Sequence, residues 1–384
     1  MPACDVFWFL VGHILLIPFA LLALVAGWIA TPFYFWSDRR HNRIRRYPQA
    51  VMDVQDNRAI SPSFIQPEED TRLPHISIVI PFHNREHEVQ PCLNSIFGQV
   101  LPADLAVEII AVDNNSADGT LDLLRQNPVH VIECEERGPG AARNAGVAAA
   151  RGEIVAFIDS DCVADPDWLM RLTAPFEDPE MLMAGGLIQS QFDDDHIATF
   201  TARREILSNE RFFQTSALFA PFFATANAAC RRTALVTIKG FDNNLKVSED
   251  ADLAWRLMDL GGRMAYVPDA IVYHAHRTTW HEFYRQAWDY GAGSVALFAK
   301  HRKWLKANTA ISWRNIRELA YTPVAFLVKT SEPRPEMILP DEEIELDHQW
   351  DNLDSRPEKY WFLWRTAFTT ACLWTSFKLR VLFV

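Results

Sequence analysis

The stretch Glu153-Ile154-Val155-Ala156-Phe157-Ile158-Asp159-Ser160-Asp161 constrains the fold more than any other. Its five apolar residues run without a polar break and end on two carboxylates two positions apart. A run with no alternation needs cover on both faces, which is the condition of a strand inside a parallel sheet. Open α/β sheets bind ligands beyond the carboxyl ends of their strands, and Asp159 and Asp161 fall there. On an extended chain the side chains of Asp-x-Asp lie on one side, spaced for a hard divalent cation. Mg²⁺ and Mn²⁺ take oxygen ligands and bridge to a diphosphate. The same two acids would also fit a polar loop that caps the next helix, so their surroundings decide.

Those surroundings alternate strand and helix. His75–Pro81 reads as a first strand stopped by Pro81, followed by the loop Phe82-His83-Asn84-Arg85. Val89, Leu93 and Ile96 then recur at helical spacing. Val107–Val112 is a second strand ending on Asp113-Asn114-Asn115, and Leu121, Leu123 and Leu124 open the next helix. Val129–Ile132 is a short third strand, and Gly138-Pro139-Gly140 turns into a helix carrying Arg143. The alternation predicts a parallel, doubly wound α/β sheet. Asp113, at the end of the second strand, suits a base N–H or a ribose hydroxyl and equally an Asx turn or helix cap. Arg143 suits the ligand, the Asp-x-Asp loop or solvent. The glycines at 138–140 lack both the GxGxxG pattern and the P-loop lysine. Farther on, Leu253, Leu257 and Leu260 predict a helix from near Glu249 to Gly261-Gly262. That helix places Glu249 and Asp250 at its N-terminus, where negative charge is favoured.

The segments IVIPFHNR, IIAVDNNSADGT, RGPGAARNAG and FIDSDC occur in one order and spacing that resembles the family 2 glycosyltransferases of the GT-A fold. The resemblance continues through Thr225–Arg232, Gly240-Phe241-Asp242, Ser248–Leu253 and Val272-Tyr273-His274, and covers about 75–300. It implies a GT-A, Rossmann-like, mostly parallel sheet flanked by helices. It implies further that the loop from Pro81 to Asn84, together with Asp113, holds the nucleoside of a sugar-nucleotide donor, and that Arg143, Asp159 and Asn227 face the donor. Asp161, Asp159 and His274 become the expected ligands of Mn²⁺ or Mg²⁺. Glu249-Asp250 matches the family's acidic pair, with Asp250 as the base that takes the acceptor's proton. Where many members carry two acids and a glycine, this chain has Asp113-Asn114-Asn115. Processive members carry Gln-x-x-Arg-Trp, from which Gln286-Ala287-Trp288-Asp289-Tyr290 departs.

The ends of the chain suggest a membrane. Val6–Phe35 is apolar enough to span, since a bilayer core needs roughly 20 helical apolar residues. A signal peptide fits poorly because the positive charge follows the apolar run; a buried core helix is the other alternative. Five arginines between Arg39 and Arg46 place the following chain in the cytoplasm. The expected organisation is an anchor over 1–37, a basic segment and linker over 38–74, the catalytic domain over 75–300 and an extension over 301–384. Within the extension, 331–358 is acidic and Trp361–Val384 suits an interfacial helix, a core helix or a second span. The net charge of −12 argues against nucleic-acid binding, and six scattered cysteines suit a reducing compartment without a zinc site.

The expected function is inverting, metal-dependent transfer of a sugar from a nucleoside-diphosphate donor to a lipid-linked or glycan hydroxyl, in a single-pass protein of the cell membrane with its catalytic domain cytoplasmic. A nucleotidyltransferase and a non-catalytic, membrane-bound sugar-nucleotide-binding protein are the alternatives.

Overall fold

The structure is a computed structural model that describes Phe64, residues 75–191, 195–213 and 220–301, and scattered residues from 309 onward. The expected span at 6–35, the arginine-rich segment and the acidic 331–358 stretch lie outside the described residues, as does just under half of the expected C-terminal helix. Among the described residues no helix is long and apolar enough to cross a membrane. The described residues divide into a sheet unit, within 43–193 and 201–276, and a helical unit, within 194–200 and 277–384.

The sheet unit begins as the sequence pattern requires. β1 (Ile76–Phe82) lies between β2 (Val107–Asp113) and β4 (Ile154–Ile158), parallel to both, and β3 (His130–Glu133) extends the sheet beside β2. The central strands are buried on both faces, with Ile78, Ile80, Phe82, Val107, Phe157 and Ile158 at 0% exposure. Each large apolar side chain removed from water in this way contributes roughly 1.5–3 kcal/mol. Helices α1 (Glu86–Phe97), α2 (Thr120–Arg125) and α3 (Pro139–Ala149) connect these strands. α1 buries Val89, Leu93 and Ile96, the face its spacing predicted. α3 packs close enough that a Cβ on Gly146 would fall 2.4 Å from Val79 Cγ1. β1 runs one residue beyond Pro81, to Phe82. A parallel ladder does not require every residue's N–H, so the proline does not stop the strand.

The second half adds two reversed strands, yet six of the eight strands run one way, so the sheet is mostly parallel as expected. After β5 (Cys162–Ala164), α4 (Trp168–Thr173) and β6 (Met181–Ser190) come α5 (His196–Arg203), α6 (Asn209–Phe213) and β7 (Asn227–Arg231). Then follow α7 (Arg232–Thr237), α8 (Glu249–Met258) and β8 (Arg263–His274). The strand order is β3-β2-β1-β4-β7-β6-β8-β5. β7 runs antiparallel to both β4 and β6, β8 runs parallel to β6, and β5 runs antiparallel to β8. The sheet is therefore mixed. The reversal begins where strands stop being joined by single crossover helices. α8 also ends earlier than expected: Leu253 and Leu257 are buried, whereas Leu260 lies past its end and is 46% exposed.

Two consequences position the site. β5 registers Cys162 against His274, and the Ala275 N–H donates to the Asp161 carbonyl at 2.9 Å. The Asp-x-Asp loop is thereby fastened to the end of β8, more than a hundred residues later. Phe64, the one described residue of the expected linker, forms a parallel bridge to Val107 and packs edge-on to Phe97.

The helical unit contains α9 (Trp280–His301). Gly291 sits where a Cβ would fall 2.3 Å from the Phe368 carbonyl oxygen, and Phe283 and Tyr290 pack their rings against Trp364.

Candidate active site

The carboxyl ends of β1 and β2 form one wall. Asp113 is buried, and its Oδ2 accepts the Ser116 N–H at 3.2 Å. Its Oδ1 is buried with no hydrogen-bond partner among the described residues. A buried carboxylate oxygen in that state is costly unless a ligand donor satisfies it. Asn114 explains the departure from a second acid. Its side-chain amide donates to the carbonyls of Cys134 (3.1 Å) and Glu136 (2.6 Å), and its Oδ1 accepts the Gly138 N–H at 2.9 Å. An aspartate would put a carboxylate oxygen in place of that amide nitrogen, facing those carbonyls. Asn84, at φ 51°, accepts the Ala117 N–H at 2.7 Å and ties the β1 loop to the β2 loop. Pro81 lies in register with Val112, just inside this wall.

The second element is the Asp161–His274 pair. His274 Nε2 lies 3.5 Å from Asp161 Oδ1, and an Arg85 guanidinium nitrogen lies 3.3 Å from Asp161 Oδ2. Asp161, Cys162 and His274 present ligand atoms within 4.8 Å of one another, all from buried residues. Burial, then the charges of Asp161 and Asp159, push the Cys162 thiol well above its usual range, and Mn²⁺ prefers oxygen and imidazole donors to sulfur. The carboxylate and imidazole thus make a donor set that fits Mn²⁺, with the thiol as wall. Asp159 stands outside that group, and its Oδ1 accepts from Arg143 at 2.6 Å.

The third element is built around Arg143. This buried guanidinium spans Asp159 on one side and Glu249 on the other, the latter at 2.8 Å, and stands 5.7 Å from the centroid of the Phe241 ring. Phe241 packs edge-on to Phe157 of β4, 5.5 Å away. Burial pushes the Glu249 carboxyl up to about 7, the charge of Asp250 adding to the rise and Arg143 opposing it. Burial also raises Asp250, to about 6, although part of its surface stays open. The Ala251 N–H and Arg143 oppose that rise, and Asp159 adds to it. Arg143 loses charge stabilisation to burial but gains more from Asp159 and Glu249, and its shift is upward. One guanidinium is shared among three carboxylates, so it only partly offsets the rise that burial imposes on Glu249 and Asp250.

Asn144 supports this corner. Its side chain both accepts the Phe241 N–H (2.8 Å) and donates to the Phe241 carbonyl (2.9 Å). Gly240, at φ 64°, makes the turn. Asn227 is not brought to the site. It is fully buried, its amide donates to the carbonyls of Leu187 and Ala270, and its Oδ1 accepts the Trp168 indole N–H. Sequence reasoning missed the Arg85–Asp161 pair and the Arg143–Glu249 pair. Both link side chains from separate motifs, and only the sheet topology brings them together. The one available signal was that Arg143 repeats no helical charge pattern with its neighbours.

Residues 77–238 match the sequence model of "Glycosyl transferase family 2". The chain is 28% identical over 264 residues to glycosyltransferase AglE of Haloferax volcanii, a match covering 67% of this chain and 83% of that protein. It is 29% identical over 240 residues to a pre-mycofactocin glycosyltransferase of Mycobacterium tuberculosis, covering 59% of this chain but only 48% of the relative. The match thus spans about half the length of that relative. In fold it is similar to the mannosyltransferase PcManGT of Pyrobaculum calidifontis, solved with GDP-Man and Mn²⁺. That likeness has a TM-score of 0.55 at 18% identity and covers 94% of this chain and 99% of the other.

Proposed function

We propose, from the premise that this chain is a glycosyltransferase carrying a family 2 domain over residues 77–238, that it moves a sugar from a nucleoside-diphosphate donor to an acceptor hydroxyl with inversion at the anomeric carbon. The observation that carries this reading is a set of three features, two at the carboxyl ends of strands and one at the start of α8, which Arg143 ties to the Asp159 loop. These are the unsatisfied buried Oδ1 of Asp113, the Asp161–His274 donor pair and the raised acid Asp250. Asp113 receives an N–H of the base or a hydroxyl of the ribose. Asp161 and His274 would hold Mn²⁺ or Mg²⁺, and a divalent cation bound there would supply charge neutralisation for the departing diphosphate. Asp250 takes the proton of the acceptor hydroxyl as that oxygen attacks the anomeric carbon. Arg143 keeps Asp159 and Glu249 fixed on either side of it, so that Asp250 does not reorganise during the reaction.

The acceptor is lipid-linked or glycan, and the reaction takes place at the cytoplasmic face of a membrane to which the 6–35 segment anchors the chain. The apolar run and the arginines that follow it support this placement. The fold relative solved with GDP-Man and Mn²⁺ makes that donor and ion the first to test. A thermal-shift screen of nucleotide sugars with and without Mn²⁺, paired with release of nucleoside diphosphate, tests the reading. A donor that stabilises the chain only with the cation and is then turned over supports it. Indifference to every donor rejects it.

A further inference from the structure

The sheet unit carries an open cleft of about 500 Å³ beyond the ends of β6 and β8, within the size range of small-molecule sites. Leu187 of β6 and Leu207 give it an apolar floor, and Tyr273 of β8, in register with Gln189, contributes an aromatic face. Gln189, Glu205 and Glu210 are exposed at its rim. No lysine or arginine is found among the described residues that line it.

Its position relates it to the chemistry. His276 lines the cleft, and its ring lies 4.9 Å from that of His274, which in turn faces Asp161. Ser190, another lining residue, is in register with His274. Along the sheet, the nucleoside wall stands on β1 and β2, whereas the cleft stands on β6 and β8. The loop bearing Asp159 and Asp161 leaves β4, between those two places.

The lining distinguishes among acceptors. An apolar floor with an aromatic wall suits the C–H face of a pyranose ring, and a rim of amide and carboxylates suits its hydroxyls. A phosphate placed there would face Glu205 and Glu210 with no cationic side chain to offset them, and such like-charge juxtaposition is unfavourable. We propose that this cleft receives an uncharged sugar at the reacting end of the acceptor, so that the enzyme extends an existing glycan or glycolipid instead of glycosylating a lipid phosphate. This rests on the glycosyl-transfer function proposed above. In the step, a bond forms between the acceptor sugar oxygen and the donor's anomeric carbon. The bond from that carbon to the diphosphate breaks, and the hydroxyl proton passes to Asp250.

The test supplies the full chain with Mn²⁺, a stabilising nucleotide sugar, and two acceptor sets: octyl glycosides of several neutral hexoses and a short-chain polyprenyl phosphate. Transfer to a glycoside is expected. Tyr273→Ala and Gln189→Ala should each raise the acceptor KM by about tenfold, with the donor KM and donor-induced thermal shift unchanged. Transfer confined to the polyprenyl phosphate, failure of every glycoside despite a donor-induced shift, or an acceptor KM unmoved by both substitutions overturns the inference and leaves the donor reading intact. Absence of any donor-induced shift in the wild-type chain overturns both.

Discussion

Arg143 and Glu249 stand 106 positions apart and meet as a buried ion pair of 2.8 Å between α3 and α8. The pair fixes the start of α8, and hence Asp250, against the helix that follows β3. The other arm of the same guanidinium holds Asp159. Arg143→Met should therefore leave two acids without their shared cation. Removing one member of a buried ionic group costs roughly 3–5 kcal/mol, and the partial exposure of Asp159 places the expected loss at the lower end, about 3 kcal/mol. Urea unfolding near neutral pH measures it. The loss should shrink in acid, where Glu249 and Asp250 are protonated.

Glu249 also makes a prediction about stability and pH. Its carboxyl titrates higher folded, at about 7, than its ordinary value of 4.5. The folded state therefore binds this proton more tightly than the unfolded state does. The associated stability is present below the ordinary value and is lost as pH rises through about 7. Glu249→Gln should gain stability relative to the wild-type chain between pH 5 and pH 8, as read by melting temperature in a common buffer series. A difference that runs the other way would contradict the assigned direction.

Asp113 and Asn114 are neighbours with opposite expectations. Asp113→Ala removes an Oδ1 that no described residue satisfies and an Oδ2 that accepts the Ser116 N–H, so stability should fall by only about 1 kcal/mol while the stabilisation conferred by nucleotide is lost. Asn114→Asp introduces the second acid that the family resemblance leads one to expect, yet it removes donors to the carbonyls of Cys134 and Glu136. Leaving those carbonyls opposite a carboxylate should destabilise the chain by about 2 kcal/mol. Denaturant unfolding separates the two.

The cation prediction rests on two residues. His274→Ala leaves Asp161 as the sole member of the facing pair, and the Mn²⁺ concentration giving half-maximal stabilisation by donor should rise on the order of tenfold. Chelation should abolish the donor effect in the wild-type chain.

Much of this was legible in the residues. The alternation from Ile76 to Ile158 gave the parallel half of the sheet, because both-face burial leaves a continuous apolar run. The ends of those strands gave Asp113, Asp159 and Asp161. The mixed half was not legible, since β7 is set antiparallel by long-range pairing with β4 and β6, which no local period records. For the same reason Asn227 looked available to a ligand, although three buried partners already occupy it. Arg85 stood in view in the first loop without an assigned role. Only the fastening of the Asp161 loop to β8 shows what surrounds that carboxylate.

The most direct measurement compares the wild-type chain with Asp250→Asn for transfer from a nucleotide sugar that both bind, with the anomeric configuration of the product determined by NMR. The wild-type chain should give a product inverted relative to the donor, with transfer rising through about pH 6 as Asp250 ionises. Asp250→Asn should keep the donor-induced thermal shift but lose at least about 100-fold in transfer rate. Wild-type transfer by Asp250→Asn, or a product that retains the donor's configuration, would contradict the assignment of Asp250 as the base of an inverting enzyme.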